Sequence, residues 1–155
     1  MTALFLLLIV PVGGGAALTL TGYGIGTLLG SFHIRRHGRT AARLRGLAGL
    51  CGGAAAAVYT YGAVLLALSV LTAEDGGAGS SPPVPCRDVP GHHEDIARVS
   101  GYSLNFVPLR FDCELTGGGS YDSGAVPGIV NAGAATLALS GAVARFAAGR
   151  VPTPS

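Results

Sequence analysis

Three long runs along the chain contain no Asp, Glu, Lys or Arg, and they determine its predicted organisation. They cover residues 2–34, 46–73 and 123–144. A helix rises about 1.5 Å per residue, so about 20 residues cross a hydrocarbon core of roughly 30 Å. Each run is long enough for a transmembrane helix, and the third is the least hydrophobic. The pattern predicts three spans, although the third run also fits a buried helix of a soluble domain.

The expected fold is mainly α-helical and membrane-integral, with a small disulfide-linked β-hairpin between the second and third helices. The predicted segments are helix 1 at 2–32, an Arg-rich loop at 33–45, helix 2 at 46–73, a loop with the hairpin at 74–122, helix 3 at 123–144 and a tail at 145–155. Pro11 lacks a backbone donor and precedes three glycines, so helix 1 is expected to kink or fray there. A broken helix at a substrate site is the functional alternative to a tilted, kinked helix.

The distribution of charge predicts the orientation. Only 12% of the residues are charged, and the net charge is +2, against about 25% charged residues in globular chains. All eight acidic residues lie between the second and third runs, where three arginines leave a formal charge of −5. Because cytoplasmic loops collect Arg and Lys, the amino terminus and the acidic segment are expected outside, with the carboxyl terminus in the cytoplasm. The predicted location is the plasma membrane.

The segment between the first two runs is the expected topology anchor. Its basic residues are Arg35, Arg36, Arg39, Arg43 and Arg45. Each arginine near an anionic leaflet contributes about 1 kcal/mol. The alternative, a nucleic-acid interface, needs a binding fold or an aromatic platform, and neither is visible. His33 and His37 have the i, i+4 spacing of metal ligands on a helix, but a third ligand is missing.

The state of each cysteine, disulfide-bonded or free, is predicted from the compartment in which it is expected to lie. Cys86 and Cys113 lie in the acidic segment, where an extracytoplasmic location permits a disulfide bond. Cys51 lies within the second run and is expected to be a free, apolar residue. A Cys86–Cys113 bond would close a loop of 28 residues, which follows a linker rich in Gly, Ser and Pro at 74–85.

The stretch "LNFVPLRFDCEL" alternates in the manner of a β-strand. Val107, Leu109, Phe111 and Cys113 would share one face, and Pro108, Arg110, Asp112 and Glu114 the other, facing water. Pro108 favours an edge strand. "TGGGS" then predicts a turn, and "YDSGAV" a short returning strand.

Rows of small residues predict how the helices associate. Helix 1 has Gly22, Gly26 and Gly30, helix 2 has Gly49 and Gly53, and helix 3 has Ala134, Ala138 and Ala142. In lipid, such rows allow backbones to approach closely. The rows are expected to join the three helices or to contact another membrane protein or a second copy of the chain.

No catalytic, metal or cofactor set is predicted. "HHED" at 92–95 places four ligand types in sequence, but consecutive residues of a helix or strand do not converge on one ion, so a solvated loop is expected. "GYGIG" lies within an apolar run rather than between a strand and a helix. The spans contain no acid or base, which argues against proton-coupled transport.

The stretch "YSLNFVPLRFDCELTGGGSY…VPGIVN" resembles a segment of small, uncharacterised multi-pass membrane proteins of actinomycetes such as Streptomyces. In those proteins a "VPLRF-x-C" strand and a Gly-rich turn precede the final span. The resemblance covers about 30 residues, and it implies a membrane protein with an outer cysteine strand but no activity.

The sequence therefore favours a non-enzymatic membrane protein, an accessory or interaction subunit whose outer hairpin is a recognition surface. Its expected partners are the lipid bilayer and a membrane protein or a second copy of the chain, without nucleic acid. The alternative is a component of an oligomeric passive transporter or channel.

Overall fold

The computed structural model describes residues 2–33, 36–75, 82–87 and 89–151. The three long helices are α1 (Thr2–Gly30), α2 (Arg36–Glu74) and α3 (Gly128–Arg150). Strands β1 (Val99–Phe106), β2 (Leu109–Leu115) and β3 (Ser120–Asp122) form one antiparallel sheet in the order β1-β2-β3. Short 3₁₀ turns occupy Ser31–His33, Val84–Cys86 and Ile96–Arg98.

The predicted mainly helical fold with a small disulfide-linked sheet is confirmed. The stretches Leu8–Gly30, Gly38–Glu74 and Gly128–Arg150 are long and apolar enough to cross a membrane. The helix α1 is continuous through Pro11, so the expected fraying at that residue is not observed.

The Arg-rich segment differs from the prediction, because most of it is helical. The predicted loop at 33–45 is reduced to a short connection, since α2 begins at Arg36. Arg, Ala and Leu have high helix propensities and dominate "RTAARLRGLAGL", so nothing in this stretch stops the helix except the mild cost of glycine. The charge-free run that begins at residue 46 identified the apolar part of α2, but the helix itself begins earlier, at Arg36.

The third helix also begins and ends later than the predicted 123–144. Pro127 directly precedes α3, and its carbonyl oxygen accepts a hydrogen bond from the Val130 amide at 2.9 Å. Residues 123–127 remain outside the helix, with Gly124 at a φ of 72°. At the other end, α3 extends to Arg150, so both arginines of the predicted tail belong to the helix. The Arg150 guanidinium lies 4.3 Å from the centroid of the Phe146 ring.

The single strand predicted for "LNFVPLRFDCEL" is two strands joined by a two-residue turn. Phe106 pairs with Leu109, and Val107 and Pro108 form the turn between them. The Val107–Pro108 peptide bond is cis, which is the arrangement of a type VI turn. Because Pro108 lies in the turn, its missing N–H is not needed for pairing between the strands. The strand β2 is therefore the central strand of the sheet rather than an edge strand. The predicted turn and returning strand are present as the β2–β3 hairpin.

Three glycines form the turn between β2 and β3. Gly117, Gly118 and Gly119 have φ angles of 96°, 98° and 99°, in a region that side-chain-bearing residues rarely adopt. The Leu115 amide donates to the Gly119 carbonyl oxygen at 3.0 Å and closes the turn. This local geometry explains why "TGGGS" was recognisable from the sequence.

The chain divides into two compact units. The sheet unit comprises Tyr61–Asn131 with the first eight residues, and the helix unit comprises Ile9–Thr60 with Ala132–Ser155. In the sheet unit, one face of α2 is buried at Ala63, Leu66, Val70 and Ala73. It shares the core with inward-facing strand residues, of which Leu109, Phe111 and Cys113 have no solvent exposure.

The helix unit is held together by small residues. A Cβ atom placed on Gly24 would lie 2.8 Å from both the Gly46 carbonyl oxygen and the Leu50 amide nitrogen. A Cβ on Gly49 would lie 2.9 Å from the Gly24 Cα, and one on Gly53 would overlap Thr21 Oγ1. The backbones of α1 and α2 are therefore in direct contact at these glycines.

The predicted glycine row of α1 is not the one used in this contact. Gly22, Gly26 and Gly30 have no atom within 4 Å of a built Cβ, whereas Gly24, between the first two, faces α2. Helical spacing identifies several rows on one helix but not the row that meets a neighbour. A Cβ atom placed on Gly141 would lie 3.2 Å from the Ala48 carbonyl oxygen, so α3 approaches α2 closely at this glycine. In the predicted alanine row, Ala138 and Ala142 are exposed.

The substitution Gly24→Leu is expected to separate α1 from α2. Backbone atoms cannot retreat as a flexible side chain can, so the overpacking should cost about 1–3 kcal/mol or more. The matched control is Gly26→Leu, on the same helix and in open space. Thermal unfolding and size-exclusion profiles in mild detergent should change for Gly24→Leu alone. Equal behaviour of the two variants would contradict this assignment of the contact.

Candidate recognition surface

A buried disulfide bond anchors the sheet unit. Cys86 and Cys113 are joined, with their Cα atoms 6.0 Å apart, and both are fully buried. The predicted pairing is therefore present, and Cys51 is a free cysteine of the helix unit. Cys86 lies in a 3₁₀ turn outside the sheet, so the bond ties the segment before β1 to the central strand.

Tyr121 connects the sheet to the same segment before β1 that contains Cys86. The Tyr121 hydroxyl donates to the Cys86 carbonyl oxygen at 2.9 Å, and the His92 ring stacks on Tyr121 with centroids 4.3 Å apart. Burial raises the pKa of Tyr121, and the charge of Asp95 raises it further. The phenol therefore remains a protonated donor at neutral pH, as the hydrogen bond requires.

The "HHED" segment forms a local network around Asp95. Its Oδ2 lies 3.1 Å from His92 Nδ1, and its Oδ1 lies 3.5 Å from Arg98 Nη1. His93 and Glu94 are exposed. Among the residues that the structure describes, no group of three or more His, Cys, Asp or Glu side chains is placed to hold a metal ion.

The sheet face opposite the core carries a charged network that extends over all three strands. Arg110 Nη2 lies 3.1 Å from Asp112 Oδ1, and Arg110 Nε donates to Asp122 Oδ2 at 3.2 Å. Asn105 donates to the other oxygen of Asp112. Since Asp112 and Asp122 are direct partners in the β2–β3 ladder, Arg110 neutralises two carboxylates that would otherwise repel.

Asp112 departs from the sequence prediction, which placed the whole charged row in water. Only 6% of Asp112 is exposed. Its Oδ1 atom has an ion-pair distance to Arg110 but no hydrogen bond of acceptable geometry. The adjacent Arg110 guanidinium offsets the cost of burying this carboxylate. The more exposed members of this face are Asn105, Glu114 and Ser120, which leaves an acidic, polar surface.

The sheet is fastened to both neighbouring helices. Tyr102 donates its hydroxyl to Glu74 Oε1 at 3.1 Å, at the last residue of α2. Burial raises the pKa of Tyr102, and the hydrogen bond with Glu74 adds to the effect. From α3, the Asn131 side chain accepts from the Leu109 amide at 2.9 Å and donates to the Leu109 carbonyl oxygen at 3.0 Å.

The Asn131 contact was not predicted. The amide group of Asn131 satisfies both backbone groups of Leu109, as a neighbouring strand would,. An asparagine within an apolar run indicates a hydrogen-bond partner for its side chain, because a buried polar side chain needs hydrogen bonds. The partner lies 22 residues away, so the sequence did not identify it.

The predicted topology anchor lies at the start of α2. Arg36 begins the helix, Arg39 donates to the Phe32 carbonyl oxygen at 3.5 Å, and Arg43 and Arg45 are exposed. Arg35 lies outside the described residues. These positions do not test the orientation of the chain.

An open apolar groove of about 550 Å³ lies within the helix unit. It is lined by Leu44, Thr136, Leu139, Ser140, Val143, Ala144 and Ala147. The hydroxyls of Thr136 and Ser140 donate to the carbonyl oxygens of Ala132 and Thr136 within α3. The groove therefore offers apolar contact and no charged group.

Comparisons with protein-family models, with curated proteins and with solved structures found no match to this chain. The resemblance to actinomycete membrane proteins remains a prediction.

Proposed function

We propose that the chain is a non-enzymatic integral membrane protein that crosses the bilayer three times and presents the sheet unit outside the cytoplasm. In this role it is an accessory or interaction subunit, and the acidic face of the sheet is its recognition surface. The observation that carries the proposal is an ordered, disulfide-linked sheet, with an acidic outer face, attached to helices whose apolar faces are exposed.

The exposed side chains of the helices support insertion into lipid. In the helix unit, Val12, Leu18, Leu139, Val143 and Phe146 each expose 64–77% of their surface. Apolar surface of this extent marks a membrane or protein interface in a folded chain. The hydroxyls of Thr19, Thr27 and Thr60 donate to carbonyl oxygens of their own helices, which makes these helix faces compatible with hydrocarbon.

Charge and redox chemistry support the orientation. Six arginines lie in the first three turns of α2 or the last two turns of α3, whereas all eight acids lie in the sheet unit together with three arginines. Cytoplasmic flanks collect arginine, and stable disulfide bonds form outside the reducing cytoplasm. Both rules favour the same side for the sheet unit.

The polar face of the sheet supports a recognition role more than a transport role. Its ion pairs hold Arg110, Asp112 and Asp122 in fixed positions, so the surface is pre-organised for a polar or basic partner. The alternative of an oligomeric passive transporter needs polar groups directed away from the helices. The helix hydroxyls named above instead bond within their own helices.

Photo-crosslinking in native membranes tests this proposal. A photoreactive residue at Glu114, exposed on the acidic face, is expected to form a discrete adduct with another protein. The matched probe at Ala97 is also exposed but lies outside the sheet, and it should give much less of that adduct. Equal adducts at both sites, or none, would contradict a recognition role for the sheet face. Adducts between copies of the chain from a probe at Leu139 would favour the oligomeric alternative.

A further inference from the structure

The turn between β1 and β2 presents an apolar tip that no core residue covers. Val107 exposes 89% of its surface, the largest fraction among the large apolar side chains that the structure describes. Pro108 is also exposed and has no backbone N–H to satisfy. A turn on a soluble surface is ordinarily polar, with Asn, Asp, Gly or Ser, so this tip has the composition of a buried or lipid-facing segment.

Two contacts fix the direction in which the tip points. Tyr102, which pairs with Cys113, bonds to Glu74 at the end of α2. Leu109, next to the tip, contacts Gly62, where a built Cβ would lie 2.7 Å from the leucine Cδ1 atom. Glu74 and Gly62 are about 18 Å apart along the helix. The hairpin therefore lies alongside the last three turns of α2, with its tip directed away from Glu74 and back along the helix.

The contact between Leu109 and α3 determines the depth of the tip in a membrane that α3 crosses. Asn131, the fourth residue of α3, holds the backbone of Leu109 through two hydrogen bonds. The 23 residues of α3 extend over about 34 Å, and crossing the hydrocarbon core takes about 30 Å. A spanning α3 has almost no length to spare, so its first turn must lie at the membrane interface, together with Leu109.

We propose that Val107 and Pro108 form an anchor that inserts into the interface between lipid headgroups and acyl chains. Ile129, in the first turn of α3 and 80% exposed, would lie in the same layer. The tip carries no charge that would have to leave water, and burial of its apolar surface in lipid stabilises the inserted state. This inference rests on the proposed insertion of α3 but not on which side of the membrane the sheet unit faces.

Depth-dependent fluorescence quenching tests the anchor. Single cysteines are introduced by Val107→Cys, Thr116→Cys and Leu139→Cys in a Cys51→Ala background, and each carries an environment-sensitive fluorophore. Thr116 is the matched control, because it is exposed and follows β2 at the opposite end of the same sheet. The proteins are reconstituted into phosphatidylcholine vesicles brominated either near the glycerol or near the chain ends. Alkylation and mass analysis verify the Cys86–Cys113 bond in each variant.

The anchor predicts blue-shifted emission at position 107 and several-fold stronger quenching by bromine near the glycerol than at position 116. The probe at Leu139 should be quenched by deeper bromine. Emission at position 107 equal to that at 116 would overturn the anchor, and so would a blue shift without quenching, which would indicate contact with protein. If the Leu139 probe is not quenched either, insertion of α3 fails, and the anchor fails with it.

Discussion

The substitution Cys113→Ser is expected to make the segment between Arg87 and Asp112 sensitive to protease while the helices still insert. The bond closes a loop with a sequence separation of 27 residues. On the chain-entropy model, such a crosslink contributes roughly 3.5 kcal/mol by restricting the unfolded chain. The sheet is small and its core is limited, so a loss of this size should unfold it. Limited proteolysis of the protein in membranes, followed by mass analysis, measures the effect.

The control for this prediction is Cys51→Ser, which changes a free cysteine of the helix unit and leaves the bond intact. Treatment of the unmodified protein with a reductant under mildly denaturing conditions should reproduce the Cys113→Ser cleavage pattern. If Cys113→Ser and Cys51→Ser gave the same proteolytic resistance, the disulfide would not be a major source of order in the sheet.

The substitution Asn131→Leu is expected to release the β1–β2 hairpin from α3. Leu109 is fully buried, so its amide and carbonyl would both lose their partners without gaining water. Each buried group left unsatisfied costs about 1–3 kcal/mol. A total of about 2 kcal/mol or more corresponds to a roughly 30-fold loss of amide protection. Hydrogen exchange of peptides that cover β2, measured in nanodiscs, reports this loss.

The matched control is Ser140→Ala, which removes a polar group from the same helix. The Ser140 hydroxyl bonds only to the Thr136 carbonyl of its own helix among the contacts that the structure records, so protection of β2 should remain within a few-fold of the unmodified protein. Unchanged exchange of β2 in Asn131→Leu would show that the two hydrogen bonds contribute little to holding the sheet.

The helices were predictable from the sequence because charge-free runs of sufficient length have few other structures available. Their ends were not, since Arg36–Arg45 is charged and nevertheless a good helix former, whereas residues 123–127 are uncharged and not helical. The absence of charge indicates which segments can lie in a membrane, whereas backbone propensity determines which residues are helical. The two signals disagreed at both places.

The sheet was predictable only in its second half. The β2–β3 turn contains three consecutive glycines, whereas the turn at Val107 and Pro108 has no Asn-Gly or Asp-Gly signal and falls inside an alternating pattern. The strand β1 includes Gly101, at an irregularity in its pairing with β2, and its apolar alternation is weak. The strand β1 is stabilised by pairing with β2, and this pairing cannot be predicted from the local sequence pattern.

The candidate surface depended on contacts between distant residues. The disulfide followed from compartment and cysteine count, but the Arg110 bridge to Asp112 and Asp122 required the register of the β2–β3 hairpin. In the same way, the use of Gly24 rather than Gly26 depends on the face of α1 that meets α2. Spacing along one helix contains no information about its rotation relative to a neighbour.

The most direct test of the central claim, a three-span protein with its sheet unit outside the cytoplasm, is thiol labelling in intact cells. Thr116→Cys and Gly149→Cys, each in a Cys51→Ala background, are treated with a membrane-impermeant maleimide before and after permeabilisation. The account predicts that Thr116→Cys labels in intact cells and that Gly149→Cys labels only after permeabilisation. Labelling of both in intact cells, or the reverse pattern, would contradict it.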